Sequence, residues 1–126
     1  MGFKRIYSTT VIVSDQDAAI EFYVGVLGFE VKLDNSMGEG FRFVTVAPVG
    51  AETELVLGST NMFDIAQGKG IENGITLVVD SVDATYAELS AKGVNFPRLP
   101  EDLPWGGRGA WLADPDGNQF FLVENY

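Results

Sequence analysis

The hydrophobic pattern runs through one set of elements and then runs through it again. Ile6 to Val13 (IYSTTVIV) is rich in β-branched residues and predicts a strand. Ser14 and Asp15 follow, and either side chain is suited to capping a helix. Between Asp17 and Leu27, Ala18, Ala19, Phe22, Tyr23 and Val26 recur at helical spacing, and Gly28 marks the stop. Phe29 to Leu33 alternates apolar and polar positions, as a half-buried strand does. Asp34 to Gly40 (DNSMGEG) predicts a turn-rich loop, Phe41 to Ala47 a third strand, and Glu54 to Leu57 a fourth.

Residues 60–73 read as a linker broken at Gly68-Lys69-Gly70, with Met62, Phe63 and Ile65 giving it apolar character. The order then restarts. Gly74 to Asp80 predicts a strand, and Ser81-Val82-Asp83 opens a helix running to about Lys92, where Gly93 ends it. Val94 to Phe96 predicts a short strand, followed by a loop punctuated by Pro97, Pro100 and Pro104. Gly109 to Ala113 is a strand, Asp114 to Gly117 a turn, and Asn118 to Glu124 the last strand.

The restart keeps one offset. Thr10-Val11-Ile12-Val13 lies 66 positions before Thr76-Leu77-Val78-Val79, Asp17-Ala18 lies 66 before Asp83-Ala84, and Gly28 lies 65 before Gly93. Two copies at so long a period indicate duplication rather than a solenoid. The reading is a single α+β domain over 1–126, with module one at about 3–59 and module two at about 74–126. Strand–helix–strands units of this kind must bury the faces opposite their helices.

Composition narrows the chemistry more than the fold. There are no cysteines and no histidines, which excludes disulfides, thiol nucleophiles, serine–histidine triads and the commonest transition-metal ligands. A metal here needs oxygen ligands. The formal net charge of −10, from 18 acids and 8 bases, forms no basic stripe and argues against nucleic acid. The longest apolar stretches are strand-length, so no membrane span is expected. The N-terminal MGFKRIYSTTV lacks the apolar core of a secretory signal, and the expected location is cytoplasmic.

Two phrases carry a family resemblance: Ile20-Glu21-Phe22-Tyr23 with Leu27-Gly28-Phe29, and Ala113-Asp114-Pro115-Asp116-Gly117-Asn118. Together with Pro104 to Gly109 (PWGGRG) and the doubled unit, they resemble the vicinal-oxygen-chelate superfamily, which includes glyoxalases, bleomycin-resistance proteins and extradiol dioxygenases. The resemblance implies two βαβββ modules forming a curved mixed sheet around a central cavity, with helices outside. It also implies a homodimer, for which the apolar stretch around Met62-Phe63 is a contact candidate. The phrases themselves have structural work to do as helix packing, helix stop and turn.

Catalytic relatives hold one divalent metal on four strands. Carried over, those positions fall near Ser8, Leu57, Gly74 and Phe121, and leucine, glycine and phenylalanine side chains offer no donor. By strand alternation, Glu54 and Glu124 are expected to face the other side. Glu72 and Gln119 share parity with the carried-over positions and would converge only in a site slid along its strands. No metal and no cofactor is therefore expected.

Aromatic residues stand in place of ligands. One of Phe41 and Phe43, together with Trp105, Trp111 and Phe121, offers flat faces for a planar or cationic ligand. Ser8, Thr10, Ser59 and Arg108 are the polar groups expected to orient it. Phe41 or Phe43 also reads as core, one of the two turned toward the helices, Trp111 as packed under the second helix, Trp105 as covered by a partner chain, and Arg108 as a surface ion pair. The favoured reading is a metal-independent protein that holds an apolar, aromatic or cationic small molecule. The alternative is a lyase, isomerase or dioxygenase-like enzyme drawing on Glu72, Tyr7 and Arg108. A third reading is a regulatory domain with a vestigial cavity.

Overall fold

A computed structural model describes residues 2–38, 40–59 and 72–124. The chain divides into two compact units, Met1–Gln67 and Gly68–Tyr126. The expected linker and the Met62-Phe63 contact lie mostly outside the described residues.

Unit one runs β1 (Ser8–Ile12), α1 (Gln16–Ile20, continuing as a π-helical segment Glu21–Val26), β2 (Glu30–Gly38), β3 (Phe41–Ala47) and β4 (Glu54–Gly58). Its four strands form one sheet in the order β1-β4-β3-β2. β1 pairs with β4 in parallel, and the other pairs are antiparallel. Unit two repeats this plan with β5 (Glu72–Val79), α2 (Val82–Ala91), β6 (Asn95–Asp102), β7 (Arg108–Ala113) and β8 (Gln119–Glu124), ordered β5-β8-β7-β6. Each is a βαβββ module with its own mixed sheet.

The helices start where sequence chemistry places them. Asp15 accepts a hydrogen bond from the Ala18 N–H and Ser81 from the Ala84 N–H, each at 3.1 Å. These caps satisfy amides that a helix start leaves orphaned. Glu124 adds a second acceptor at α2, its Oε1 lying 2.7 Å from the Val82 nitrogen. Gly28 and Gly93 end the helical segments at φ 82° and 87°, a conformation glycine adopts without steric cost.

One arginine in each unit shows which sheet face the helix covers. Arg42 on β3 donates to Asp17 of α1 at 2.7 Å, so Arg42, Val44 and Val46 point toward the helix. The strand register adds Val11, Leu55 and Leu57 to that face. All five apolar residues are buried, along with Ala19, Phe22 and Tyr23 of the helical segment. In unit two Arg108 on β7 donates to Asp83 of α2 at 2.9 Å. Ala110, Leu112, Phe120 and Leu122 share that face and are buried, as are Val82 and Leu89 of the helix. Tyr86 of α2 meets Phe96 edge-on with ring centroids 4.9 Å apart.

Two segments expected as loops are strand. β2 continues to Gly38, pairing Asn35 with Phe43 and Gly38 with Phe41. β6 continues through Pro97 and Pro100 to Asp102. It is an edge strand, where a missing N–H leaves no inter-strand hydrogen bond unmade, and it carries register shifts at both prolines. The helix of unit one is also not uniformly α-helical, since its second half widens to the π form around Gly25.

Candidate functional site

The functional candidates lie on the sheet faces that point away from the helices, and each unit contributes its own set. In unit one, register places Ser8 beside Glu54 and Thr10 beside Val56, while Thr45 lies across from Val56. Phe41 and Phe43 share the parity of Thr45. Both therefore face away from the helix, not one alone as expected, because residues two apart on a strand share a face. In unit two the corresponding face carries Thr76, Trp111 and Phe121, since Thr76 and Trp111 both pair with Phe121. The Trp111 and Phe121 rings lie 5.1 Å apart at 34°, and both are half-buried. That tilted pair is a flat apolar platform on the sheet.

Two of the expected site residues, Leu57 and Arg108, stand on the helix side instead. Leu57 is a correction: it pairs with Val11 on the helix side and is 0% exposed. On the fourth strand it is Glu54 that lies beside Ser8, on the same face, against the expectation that it faced the other way. The cause is a register error, because one residue along a strand reverses the face. Arg108 is the second correction. It looks toward α2 rather than toward the platform, and is held by Asp83 at 2.9 Å and Asp102 at 3.3 Å. Trp105, 64% exposed, sits in the turn closed by the Leu103 N–H donating to the Gly107 carbonyl. Ser59 follows the end of β4, and its hydroxyl oxygen is enclosed with no hydrogen-bond partner among the described residues.

The Arg108 clamp repeats in unit one, where Arg42 binds Asp17 at 2.7 Å and Asp34 at 2.8 Å. Arg42 and Asp17 stand 66 positions before Arg108 and Asp83, the offset of the duplication. Hydrogen bonding to the arginines holds the Asp34 and Asp83 carboxyls below their ordinary value and pushes both guanidiniums further up. These groups are spoken for structurally, tying strand, helix start and neighbouring strand together.

Glu54 is the carboxylate that sequence reasoning misplaced. It is 9% exposed and accepts hydrogen bonds from the Thr45 hydroxyl at 2.6 Å and the Tyr7 hydroxyl at 3.4 Å. The Arg5 guanidinium lies over the Tyr7 ring, 5.3 Å from its centroid. Glu54 also lines a groove of about 350 Å³ with Arg5, Lys32 and Glu52.

The superfamily resemblance implies a divalent metal, and the donor set does not fit one. At the strand positions the resemblance points to, unit one offers the Ser8 hydroxyl and the Glu54 carboxylate, while Gly74 and Phe121 of unit two have no donor side chain. The carboxylate is already hydrogen-bonded. Among the described residues no group of three or more acidic, histidine or cysteine side chains is placed to hold an ion. Glu72 pairs with Gln119 by backbone register, but its side chain lies outside the described residues. Glu124 faces α2, as its hydrogen bond to Val82 requires.

Sequence reasoning also missed Arg98. Register places it directly across from Trp111, on the platform side. The prolines of Phe96-Pro97-Arg98-Leu99-Pro100-Glu101 gave no clear signal, being compatible with a loop as well as with a bulged edge strand.

Known proteins share both sequence and fold. The family profile of the glyoxalase/bleomycin resistance protein/dioxygenase superfamily matches residues 5–122. A crystal structure of a member of that superfamily from Sphaerobacter thermophilus is 46% identical and superposes with a TM-score of 0.91, covering 98% of each chain. TnmS3, an antibiotic binding protein from Streptomyces sp. CB03234, is 38% identical with a TM-score of 0.86, over 100% of this chain and 99% of that one. A probable lactoylglutathione lyase of Vibrio cholerae is 31% identical over 99% of this chain and 94% of its own. No helix among the described residues is long and apolar enough to cross a membrane. The profile match and these relatives show that this chain belongs to the glyoxalase/bleomycin resistance protein/dioxygenase superfamily.

Proposed function

We propose that this protein binds a planar small molecule without metal and without transforming it. The observation that carries the reading is the Trp111–Phe121 platform, with a phenylalanine where the superfamily's catalytic members carry a metal ligand. Ligand sites are built from apolar walls with a few polar groups to fix orientation, and Ser8, Thr10 and Phe43 on the first sheet supply the same mixture. The 38% identity to an antibiotic binding protein points the same way. Leu57 and Arg108 drop out of the binding set. Trp105 stays in it because an exposed tryptophan in a turn is suited to covering a ligand.

The same reading takes the chain as one domain acting as a homodimer in the cytoplasm. Exposed apolar residues on β2, Val31 and Met37 among them, are suited to a partner chain. Light scattering on the purified protein tests the dimer.

Fluorescence titration of chelator-treated protein against planar quinones, aromatic amines and aromatic acids tests the binding. Saturable quenching by at least one class, with elemental analysis showing less than stoichiometric metal, supports the proposal. Stoichiometric tightly held metal contradicts it.

A second reading, a lyase or isomerase, rests on the Tyr7–Glu54–Thr45 cluster and on the likeness to a probable lactoylglutathione lyase. A carboxylate beside a phenol is a possible acid–base pair. Turnover of a glutathione hemithioacetal that disappears in Glu54→Gln would favour this reading over binding alone.

A further inference from the structure

The ligand's charge is written into β6. Without irregularities, strand alternation would send Asn95, Pro97, Leu99 and Glu101 to one face and Arg98 to the other. The register instead shifts between Asn95 and Arg98 and again between Arg98 and Glu101, with a proline inside each interval. Asn95 pairs with Ala113, Arg98 with Trp111 and Glu101 with Gly109, so every third residue of β6 looks to the platform side. Phe96, one residue past Asn95, meets Tyr86 of α2 and confirms that the opposite face is the helical one. The bulges therefore set Arg98 directly across from Trp111, and directly paired residues of antiparallel strands have Cβ atoms about 5 Å apart, within reach of an arginine side chain.

We infer that Arg98 selects planar aromatic ligands carrying an acidic oxygen, a carboxylate or an ionised phenol, which stack on Trp111 and Phe121 while the guanidinium takes the anion. This rests on the proposed binding function and specifies its ligand class. Among the described residues Arg98 pairs with Glu101, at 3.0 Å, with the two side chains 61% and 54% exposed. An exposed pair of this kind contributes little and exchanges readily. A ligand oxyanion desolvated on the platform is a better partner, because the guanidinium fork matches it with two hydrogen bonds. Glu101 then acts as the resident competitor. The net charge of −10 does not decide the matter, because beyond about 8 Å exposed charges are screened at physiological salt. Contact with Arg98 outweighs that distant field.

The test uses three probes of one shape: anthracene-2-carboxylate, neutral anthracene-2-carboxamide and cationic 2-(aminomethyl)anthracene. They are titrated calorimetrically into the protein with Trp105 and Trp111 both in place. The carboxylate is expected to bind about tenfold more tightly than the carboxamide, the scale of one charge-assisted hydrogen bond. Arg98→Gln is expected to equalise the two, Arg98→Lys to keep part of the preference, and Glu101→Gln to enlarge it. Urea midpoints close to the parent's would show that the variants remain folded. Equal binding of acid and amide, preference for the cation, or an acid preference that survives Arg98→Gln overturns the inference while leaving the aromatic platform standing. Failure of all three probes to bind overturns the platform, and the inference with it.

Discussion

Leu57→Ala separates the two possible faces of β4. If Leu57 lined a ligand face, truncation would change binding and leave stability nearly untouched. The structure instead buries it fully, on the helix side with Val11, Val44 and Val46. Removing roughly three carbons of buried side chain forfeits about 2.4 kcal/mol of transfer free energy at ~0.8 kcal/mol per methylene. The cavity left behind raises the total to about 3–4 kcal/mol, inside the range measured for buried leucines. Against a typical domain stability of about 5–15 kcal/mol that is a large fraction. In urea, with a slope of about 1.5–2 kcal/mol per molar, the midpoint should fall by about 2 M. The assay is equilibrium unfolding by circular dichroism, with Thr10→Ala as the control from the opposite face. A loss below about 1 kcal/mol for Leu57→Ala would refute the register and return Leu57 to the ligand face.

Asp114 is 5% exposed and accepts from the Asp116 N–H, the Asn118 N–H and the Asn118 side-chain amide at 2.8–3.0 Å. Asp114→Ala should therefore destabilise by about 2–4 kcal/mol, readable as a fall in urea midpoint, because it orphans donors at a buried turn. Asp34 and Asp83 titrate below their ordinary value because of Arg42 and Arg108. Their contribution is present above the unfolded carboxyl value near 3.8 and is lost as pH falls through the lower folded values. Acid unfolding curves of Arg42→Met and Arg108→Met should accordingly lie closest to the parent's at the acid end, where the clamps are already broken. Exchange of the charges across one clamp, Asp83→Arg with Arg108→Asp, should recover part of the stability lost in either single variant, measured by thermal melting.

Much of the fold was legible because its signals are local. Caps at Asp15 and Ser81, glycine stops at Gly28 and Gly93, and one repeat offset need only neighbouring residues to be read. The β2 extension and the proline-bearing β6 were missed because pairing with β3 and β7 overrides the turn composition of 34–38 and 97–102. The site was legible in part. Ser8 and Thr10 fall on one face by plain alternation, and Trp111 and Phe121 do so because the short turn over Asp114 to Gly117 sets the register of their hairpin. Leu57, Glu54 and Arg108 were misplaced because a face depends on register, and register is a property of two strands together. Arg42 and Arg108 stand 66 apart, like their aspartates. That coincidence was the one sequence clue that both arginines serve the scaffold.

The central claim, a metal-free aromatic binding face, meets its most direct test in calorimetric titration of chelator-treated protein with a planar aromatic acid, parent against Trp111→Leu. The account predicts binding that survives chelation and weakens by about 30-fold or more in the variant, the loss of an aromatic anchor worth about 2 kcal/mol. Binding that vanishes on chelation and returns with a divalent ion, or equal affinity in parent and variant, would contradict it.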